Sequence, residues 1–324
     1  MSDDSLLEIS KGVLLFIPPP DRVAGWRRSG NIIILNNSDN LTIIDSGGPS
    51  IRNQLMTIVN KLLTGNKKPV HCILTHGHID HMAGAGELQK NFNATIWASK
   101  DAAPFVESQS PMNMELEQES IIVNFRELFT APSWFVRAAM RIALGRTHVL
   151  SSVKLIFDSS EIYQSGFRSI DLPGHHYGHL GFYNKDNGIL MVGDLLDPRH
   201  KMKPILTAPS SDFAGMQVSL ERVLQIAPEI MIPGHGDPIF GKESIKTAIC
   251  SAQDIMKAAH DGVIEALEES KLSISELSKQ LQRMGLGPGD VFRRMFIHSV
   301  LRYLVNTGKV SKYKSSSRKT VFSV

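Results

Sequence analysis

The chain is poor in cysteine and aromatic residues and has no long apolar run. Only Cys72 and Cys250 occur in 324 residues, which excludes a disulfide framework and points to a reducing compartment. Cys72 sits in an apolar strand-like run and reads as a small core hydrophobe. No stretch approaches the ~20 apolar residues that cross a bilayer. The start, Met1-Ser2-Asp3-Asp4-Ser5, is acidic and polar rather than signal-like, so the expectation is a cytoplasmic protein. A strong charge of one sign is missing too: 35 Lys and Arg stand against 32 Asp and Glu, which implies no dominant electrostatic partner. With 42% hydrophobic residues the chain can bury a sizeable core, and its length suggests two domains.

Histidine and aspartate, by contrast, are concentrated. Thr75-His76-Gly77-His78-Ile79-Asp80-His81 follows Val70-His71-Cys72-Ile73-Leu74, an apolar run that reads as a buried strand. Three histidines and an aspartate thus leave a strand's carboxyl end, where open sheets place their sites. Both residue types are expensive to bury unpaired and both ligate metals. Three later segments repeat the arrangement. Gly166 to Leu172 leads into Pro173-Gly174-His175-His176-Tyr177-Gly178-His179, ahead of another strand at Leu180 to Tyr183. An apolar run from Gly188 ends in Gly193-Asp194, and another from Glu229 ends in Pro233-Gly234-His235-Gly236. Four strand exits bearing His or Asp point to one metal site.

These segments, in this order, resemble the metallo-β-lactamase superfamily, whose signature is HxHxDH, then a His in a PGH turn, then GD, then a His in a PGHG turn. Leu41-Thr42-Ile43-Ile44-Asp45-Ser46-Gly47-Gly48 resembles the family's earlier strand ending in Asp-x-Gly. The resemblance covers roughly the first 240 residues and implies an α/β fold, a four-layer αββα sandwich with the site at one edge of its two sheets. It implies that His76, His78 and His175 bind one metal and that Asp80, His81 and His235 bind a second. Asp194 would bridge the two. Asp45 would orient the site without ligating it, and His179 would be a supporting hydrogen-bonding residue.

Imidazole and carboxylate suit zinc, and iron or manganese would also accept the set. Two such ions can hold a hydroxide between them and polarise the electrophile, at neutral pH and without a serine or cysteine nucleophile. The implied activity is metal-dependent hydrolysis, with Asp80 or Asp194 able to orient the nucleophile or relay its proton. Dizinc members that open β-lactams typically carry cysteine where this chain has Asp194. The pattern instead looks like the glyoxalase II, lactonase and RNA-processing branches. An ester, thioester or lactone is therefore the expected substrate, and β-lactamase activity is not expected. A catalytically degenerate binding protein is the third class, and the intact set of seven ligand-type residues argues against it.

Between His81 and His175 the chain is longer than a minimal version of this fold needs. Residues 84–100 hold a helix and a strand, and about 104–152 read as a mostly helical insertion. Ser133 to Gly145 has Trp134, Phe135, Ala138, Ile142 and Ala143 as its apolar side. The insertion reads as a structural cap or a homodimer contact, as a lid or wall of the substrate pocket, or as a basic amphipathic membrane-surface helix. Tyr177, Trp134 and Phe135 are the candidate substrate-binding residues, with Phe105 and Phe125 as further pocket-liners.

The pattern changes after Gly241, dividing the chain into a catalytic domain at 1–243 and a C-terminal domain at 244–324. Ile245, Ile249, Ala252, Met256, Ala259, Val263 and Leu267 have helical spacing. Ser273-Ile274-Ser275-Glu276 matches a capping box, Asp290 is expected to cap a third helix, and two short strands close the chain. Three helices and a hairpin resemble a winged helix, and the combination resembles the β-lactamase-like protein 2 family, which includes single-strand endoribonucleases. That resemblance makes RNA the alternative substrate or ligand. Arg293, Arg294, Arg302, Lys309, Lys312, Lys314, Arg318 and Lys319 would supply phosphate contacts, or simply a solvated basic face.

Overall fold

Alternation of branched apolar residues builds two facing sheets in the computed structural model, which describes residues 6–19, 29–108, 134, 150–163, 165–206, 209–286, 289–316 and 319–324. The first sheet begins with β1 (Leu6–Ser10), β2 (Val13–Phe16), β3 (Ile32–Asn36) and β4 (Leu41–Ile44), antiparallel in sequence order. Helix α1 (Arg52–Leu63) returns the chain to β5 (Val70–Ile73), which runs parallel to β4. Helices α2 (Ile79–Met82) and α3 (Ala85–Phe92) lead to β6 (Thr95–Ser99). After α4 (Ala103–Glu107), β7 (Lys154–Ile156) closes the sheet in parallel. Most of the expected insertion, including Phe125 and Phe135, lies outside the described residues. Trp134 is described and is 70% exposed.

The second sheet is formed by β8 (Phe167–Asp171), β9 (Leu180–Asn184) and β10 (Ile189–Gly193), then, beyond a short hairpin of β11 (Leu196–Asp197) with β12 (Lys203–Pro204) and helix α5 (Phe213–Ile226), by β13 (Ile230–Pro233) and β14 (Ile239–Phe240). Strands β10 and β13 are parallel neighbours, so their carboxyl ends lie on one edge.

The side-chain period of two divides each strand between two cores. Ile33, Leu35, Ile44 and Ile73 meet Phe182, Ile189, Met191 and Ile232 between the sheets. Their neighbours Ile32, Ile34, Ile43 and Cys72 pack under α1 and α3 through Leu55, Val59 and Leu88. Leu190, Val192 and Met231 face the opposite way, toward α5. The result is the expected four-layer αββα sandwich. Each fully buried Leu, Ile or Phe contributes roughly 1.5–3 kcal/mol.

Helix α6 (Lys242–Glu269) buries all seven of the apolar positions expected from its spacing. Helix α7 (Ile274–Gln280) opens on the Ser273–Glu276 capping box. Helix α8 (Asp290–Asn306) and a hairpin of β15 (Ser311–Lys314) with β16 (Thr320–Ser323) complete the chain. Ile249, Met256, Phe296, Ile297 and Leu301 from these helices join Leu190, Val192 and Met216 in one continuous core.

Two expectations for this region are corrected. Gly289, not Asp290, is the N-cap of α8; Asp290 occupies the first turn, and its carboxylate accepts from Ser278 Oγ at 2.7 Å. Arg293 and Arg294 do not belong to a basic face: they are 8% and 5% exposed and pair with Asp290 at 3.2 and 2.6 Å. Arg302 is likewise turned inward, donating to the carbonyls of Pro209, Ser210 and Ser211. Packing and carbonyl demand outweighed exposure at these three positions, whereas Lys309, Lys312, Lys314 and Lys319 are exposed.

Candidate metal centre

Parallel pairing brings the chemistry-bearing strand ends together. Strands β4 and β5 deliver Asp45 and the 75–81 run, while β10 and β13 deliver Asp194 and His235 from the facing sheet. His175 comes from the turn between β8 and β9. Two groups result. His76, His78, His175 and Asp194 each present a ligand atom within 4.8 Å of the others, and Asp80, His81 and His235 do the same. Asp194 stands between them: Oδ1 is 3.2 Å from His81 Nε2, and Oδ2 is 3.4 Å from His235 Nε2 and 3.5 Å from His175 Nε2. His76, His81, His175, Asp194 and His235 are buried, whereas the Asp80 side chain is 26% exposed and opens the centre to solvent.

Hydrogen bonds on the far side of each ring set which nitrogen carries a lone pair. Asp45 accepts from the Thr75 backbone N–H at 2.8 Å and from Thr75 Oγ1 at 2.9 Å. The Thr75 hydroxyl, its proton so committed, accepts from His76 Nδ1 at 2.9 Å, leaving His76 Nε2 as the lone-pair nitrogen. That atom is buried and has no hydrogen-bond partner among the described residues. His81 Nδ1 lies 2.8 Å from Asp45 Oδ2, and His175 Nδ1 donates to the Ile205 carbonyl at 2.7 Å. Both rings therefore turn Nε2 inward. His179 differs. Its Nδ1 donates to the Leu172 carbonyl at 2.8 Å, and its Nε2 accepts the Asp194 backbone N–H at 3.0 Å. With both nitrogens committed, His179 holds the Gly193-Asp194 turn instead of offering a lone pair, and burial lowers its pKa to about 4.

The electrostatics show a strong demand for positive charge. Burial works against ionising His81 and His235, yet Asp194 and neighbouring carboxylates raise the first well above its ordinary value and the second to about 9. Burial leaves His76 and His175 neutral, well below theirs. Burial alone would raise Asp80 and Asp194, but His81 and His235 hold both below the usual carboxylate range. Divalent cations satisfy the same carboxylates and take neutral imidazole nitrogens as ligands. The donor set fits them.

Several supporting residues carried no recognisable local motif. Asn31 Nδ2 donates to the carbonyls of Pro233 and Gly236 at 2.9 and 2.8 Å, clamping the turn that carries His235. Gly30 and Gly234 flank His81 so closely that a Cβ would stand 2.4 and 3.0 Å from its ring; at Gly234 it would also strike Asp194 Oδ1. Ser211 Oγ donates to the His175 carbonyl at 2.9 Å, and Ser299 of α8 donates to Ser211 O at 2.6 Å. Thr75 and Gly234 lay inside the strand-exit motifs, but nothing in those motifs distinguished these roles. Tyr177 stacks on Phe105 with centroids 5.3 Å apart, and Phe105 is buried against His176 as well. His71 stacks on Tyr163 at 3.6 Å, away from the centre.

Known proteins agree with this architecture. The sequence profile of the Metallo-beta-lactamase superfamily matches residues 25–235. A probable metallo-hydrolase of Bacillus subtilis, YqjP, is 27% identical over 261 residues, covering 77% of this chain and 80% of the relative. The hydroxyacylglutathione hydrolase GloC of Haemophilus influenzae is 27% identical over 164 residues, 51% of this chain and 65% of that protein. Among solved structures, a metallo-beta-lactamase family protein from Thermus thermophilus superposes with a TM-score of 0.71 at 19% identity, over 97% of this chain and 99% of that one. With the profile matched over most of its length and the fold shared throughout, the chain belongs to the metallo-beta-lactamase superfamily as a metal-dependent hydrolase.

Proposed function

We propose that His76, His78, His175 and Asp194 hold one divalent ion, that Asp80, His81 and His235 hold a second bridged by Asp194, and that the centre hydrolyses a thioester, ester or lactone. The observation that carries this reading is the convergence of seven ligand-type side chains, the Nε2 atoms of His76, His81 and His175 freed by hydrogen bonds on the opposite ring nitrogen. Zinc suits the nitrogen and oxygen donors, with iron or manganese as substitutes. When bound, such ions supply a water nucleophile at neutral pH and polarise the substrate carbonyl.

The chain's own residues do the positioning. Asp45 and Thr75 fix His81 and His76, His179 fixes the Asp194 backbone, and Asp80, the partly exposed carboxylate 3.3 Å from His235 Nε2 that His81 and His235 keep ionised, is placed to orient the nucleophile beside the entering substrate. A thioester is favoured because relatives that this chain resembles include hydroxyacylglutathione hydrolases. Residues 1–243 serve as the catalytic unit and 244–324 as a C-terminal unit that braces it through Ser299 and Arg302. No helix among the described residues is long and apolar enough to cross a membrane.

The test is hydrolysis of a hydroxyacyl thioester by zinc-supplied protein, read beside metal content and beside a His78→Ala variant. Turnover with about two metals per chain, lost in the variant at unchanged circular dichroism, is the expected result. Well under one metal per chain, or undiminished turnover by the variant, overturns it. Cleavage of unstructured RNA but of no acyl substrate would replace the substrate with the RNA alternative.

A further inference from the structure

The chain leaves the centre at Asp194 through the β11–β12 hairpin, whose turn at Pro198–His200 carries Arg199. Residues 196–204 hold three cationic side chains, Arg199, Lys201 and Lys203, against a single acid, Asp197. Asp197 holds Arg199 rigidly. Its carboxylate accepts from the Arg199 backbone N–H at 2.9 Å and grips the guanidinium side-on, through Nε and Nη2 at 2.8 Å each. That grip uses one edge of the planar group. The end-on edge, Nη1 with the second hydrogen of Nη2, has no partner among the described residues.

The position of this fork matters. The Arg199 stem runs beside the turn that carries His235, where a Cβ at Gly236 would stand 3.2 Å from Arg199 Cγ. The side chain is 23% exposed, so solvent and solutes reach it. Burial works to lower its pKa, but Asp197 outweighs burial, and the more distant Asp194 and Asp80 add to the rise. A fixed cation therefore stands beside the His235 turn, within electrostatic reach of Asp194 and Asp80.

We propose that Arg199 recognises a carboxylate on the substrate, so that the hydrolase acts on an acyl compound carrying an anionic group a few atoms from the bond it cleaves. The inference rests on the acyl-hydrolase reading above. A guanidinium fork matches a planar carboxylate through two parallel hydrogen bonds, which a lysine ammonium does not reproduce. Because Asp197 already holds the guanidinium, binding loses little side-chain entropy. The hairpin's remaining charge, on Lys201 and Lys203, favours approach of an anion over a neutral acyl group.

Two thioesters of N-acetylcysteamine separate the charge from the shape: the succinyl compound and its methyl ester, which differ in one carboxylate. The metal-loaded full chain is expected to favour the succinyl compound at least tenfold in kcat/KM, mostly through KM. Arg199→Gln should bring that ratio to within about threefold of unity, and Arg199→Lys should fall between. An equal ratio in wild type and Arg199→Gln overturns the proposal. So does a parallel loss on both compounds in both variants, which is what a purely structural staple of the hairpin produces. If neither thioester is turned over, the acyl reading fails separately, and calorimetric titration of glutarate into the metal-loaded chain decides the role of Arg199. Binding weakened at least fivefold in Arg199→Gln supports it, and unchanged or undetectable binding to the wild type sinks it.

Discussion

Asp45 Oδ2 lies 2.8 Å from His81 Nδ1, and Asp45 reaches it from a left-handed backbone at φ +59°. The carboxylate fixes the ring's tautomer and raises its basicity, and the same side chain holds Thr75 and through it His76. Asp45→Asn keeps the shape and tolerates the left-handed backbone but removes the charge. We expect metal affinity to fall 10–100-fold, measured by competition with a chromophoric chelator, with the circular dichroism spectrum unchanged. Wild-type affinity in this variant would show that Asp45 only shapes the turn.

Gly30 has no such charge to lose, only space. A Cβ there would stand 2.4 Å from His81 Cε1. Gly30→Ala must displace the ring or the strand, at a cost of roughly 1–3 kcal/mol. Hydrolysis is expected to drop at least tenfold while all seven ligand-type residues remain, and a fully active variant would show that the ring moves freely.

Removing metal should destabilise the fold as well as stop turnover. A ligand that binds only the folded chain adds about 2.7 kcal/mol when present at a hundredfold excess over its Kd. Dialysis against a chelator is therefore expected to lower Tm, and added zinc to restore it. A Tm insensitive to both would argue against binding at the buried centre.

His298 on α8 provides a pH prediction independent of the centre. Its ring is fully buried, both nitrogens lack hydrogen-bond partners among the described residues, and burial, aided by Arg302, lowers its pKa to about 3. The unfolded chain takes up this proton near pH 6.5 while the folded chain does not. Stability is therefore lost as pH falls from 6.5 toward 3, by on the order of 4 kcal/mol across that window. His298→Leu should flatten this part of the curve in urea melts at pH 7 and 4.5. An unchanged pH dependence would place the acid sensitivity elsewhere.

Arg302 links the C-terminal helices to the centre. It donates to three carbonyls at 209–211, and Ser211 in turn holds the His175 backbone. Arg302→Ala is expected to cost about 1–3 kcal/mol by leaving carbonyls unsatisfied, and to weaken metal binding through His175. Destabilisation with unaltered metal affinity would confine its role to packing.

Much of this molecule was readable along the chain because the causes are local. Strand alternation, the spacing along α6 and the Ser273 capping box follow from the geometry of one element, and the structure contains all three. The ligand-type residues were visible because His and Asp are dense at strand exits and rare elsewhere in such runs. Their division of labour came from the family resemblance and not from the residues themselves. Within His175-His176-Tyr177-Gly178-His179, the difference between an Nε2 turned toward the other ligand-type side chains and one bound to the backbone depends on Ile205 and on the Asp194 backbone. Asn31 secures a turn some two hundred residues away, Arg293 and Arg294 are drawn inward by Ser278 and Ser275 of α7 as well as by Asp290 of their own helix, and Arg302 by the carbonyls at 209–211. Periodicity is imposed by backbone sterics within a segment, so the sequence by itself determined the elements and the inventory of chemical groups. Hydrogen-bond partners and burial arise only when distant segments pack, so the tertiary structure alone decided which nitrogen, which carboxylate and which arginine is free to act.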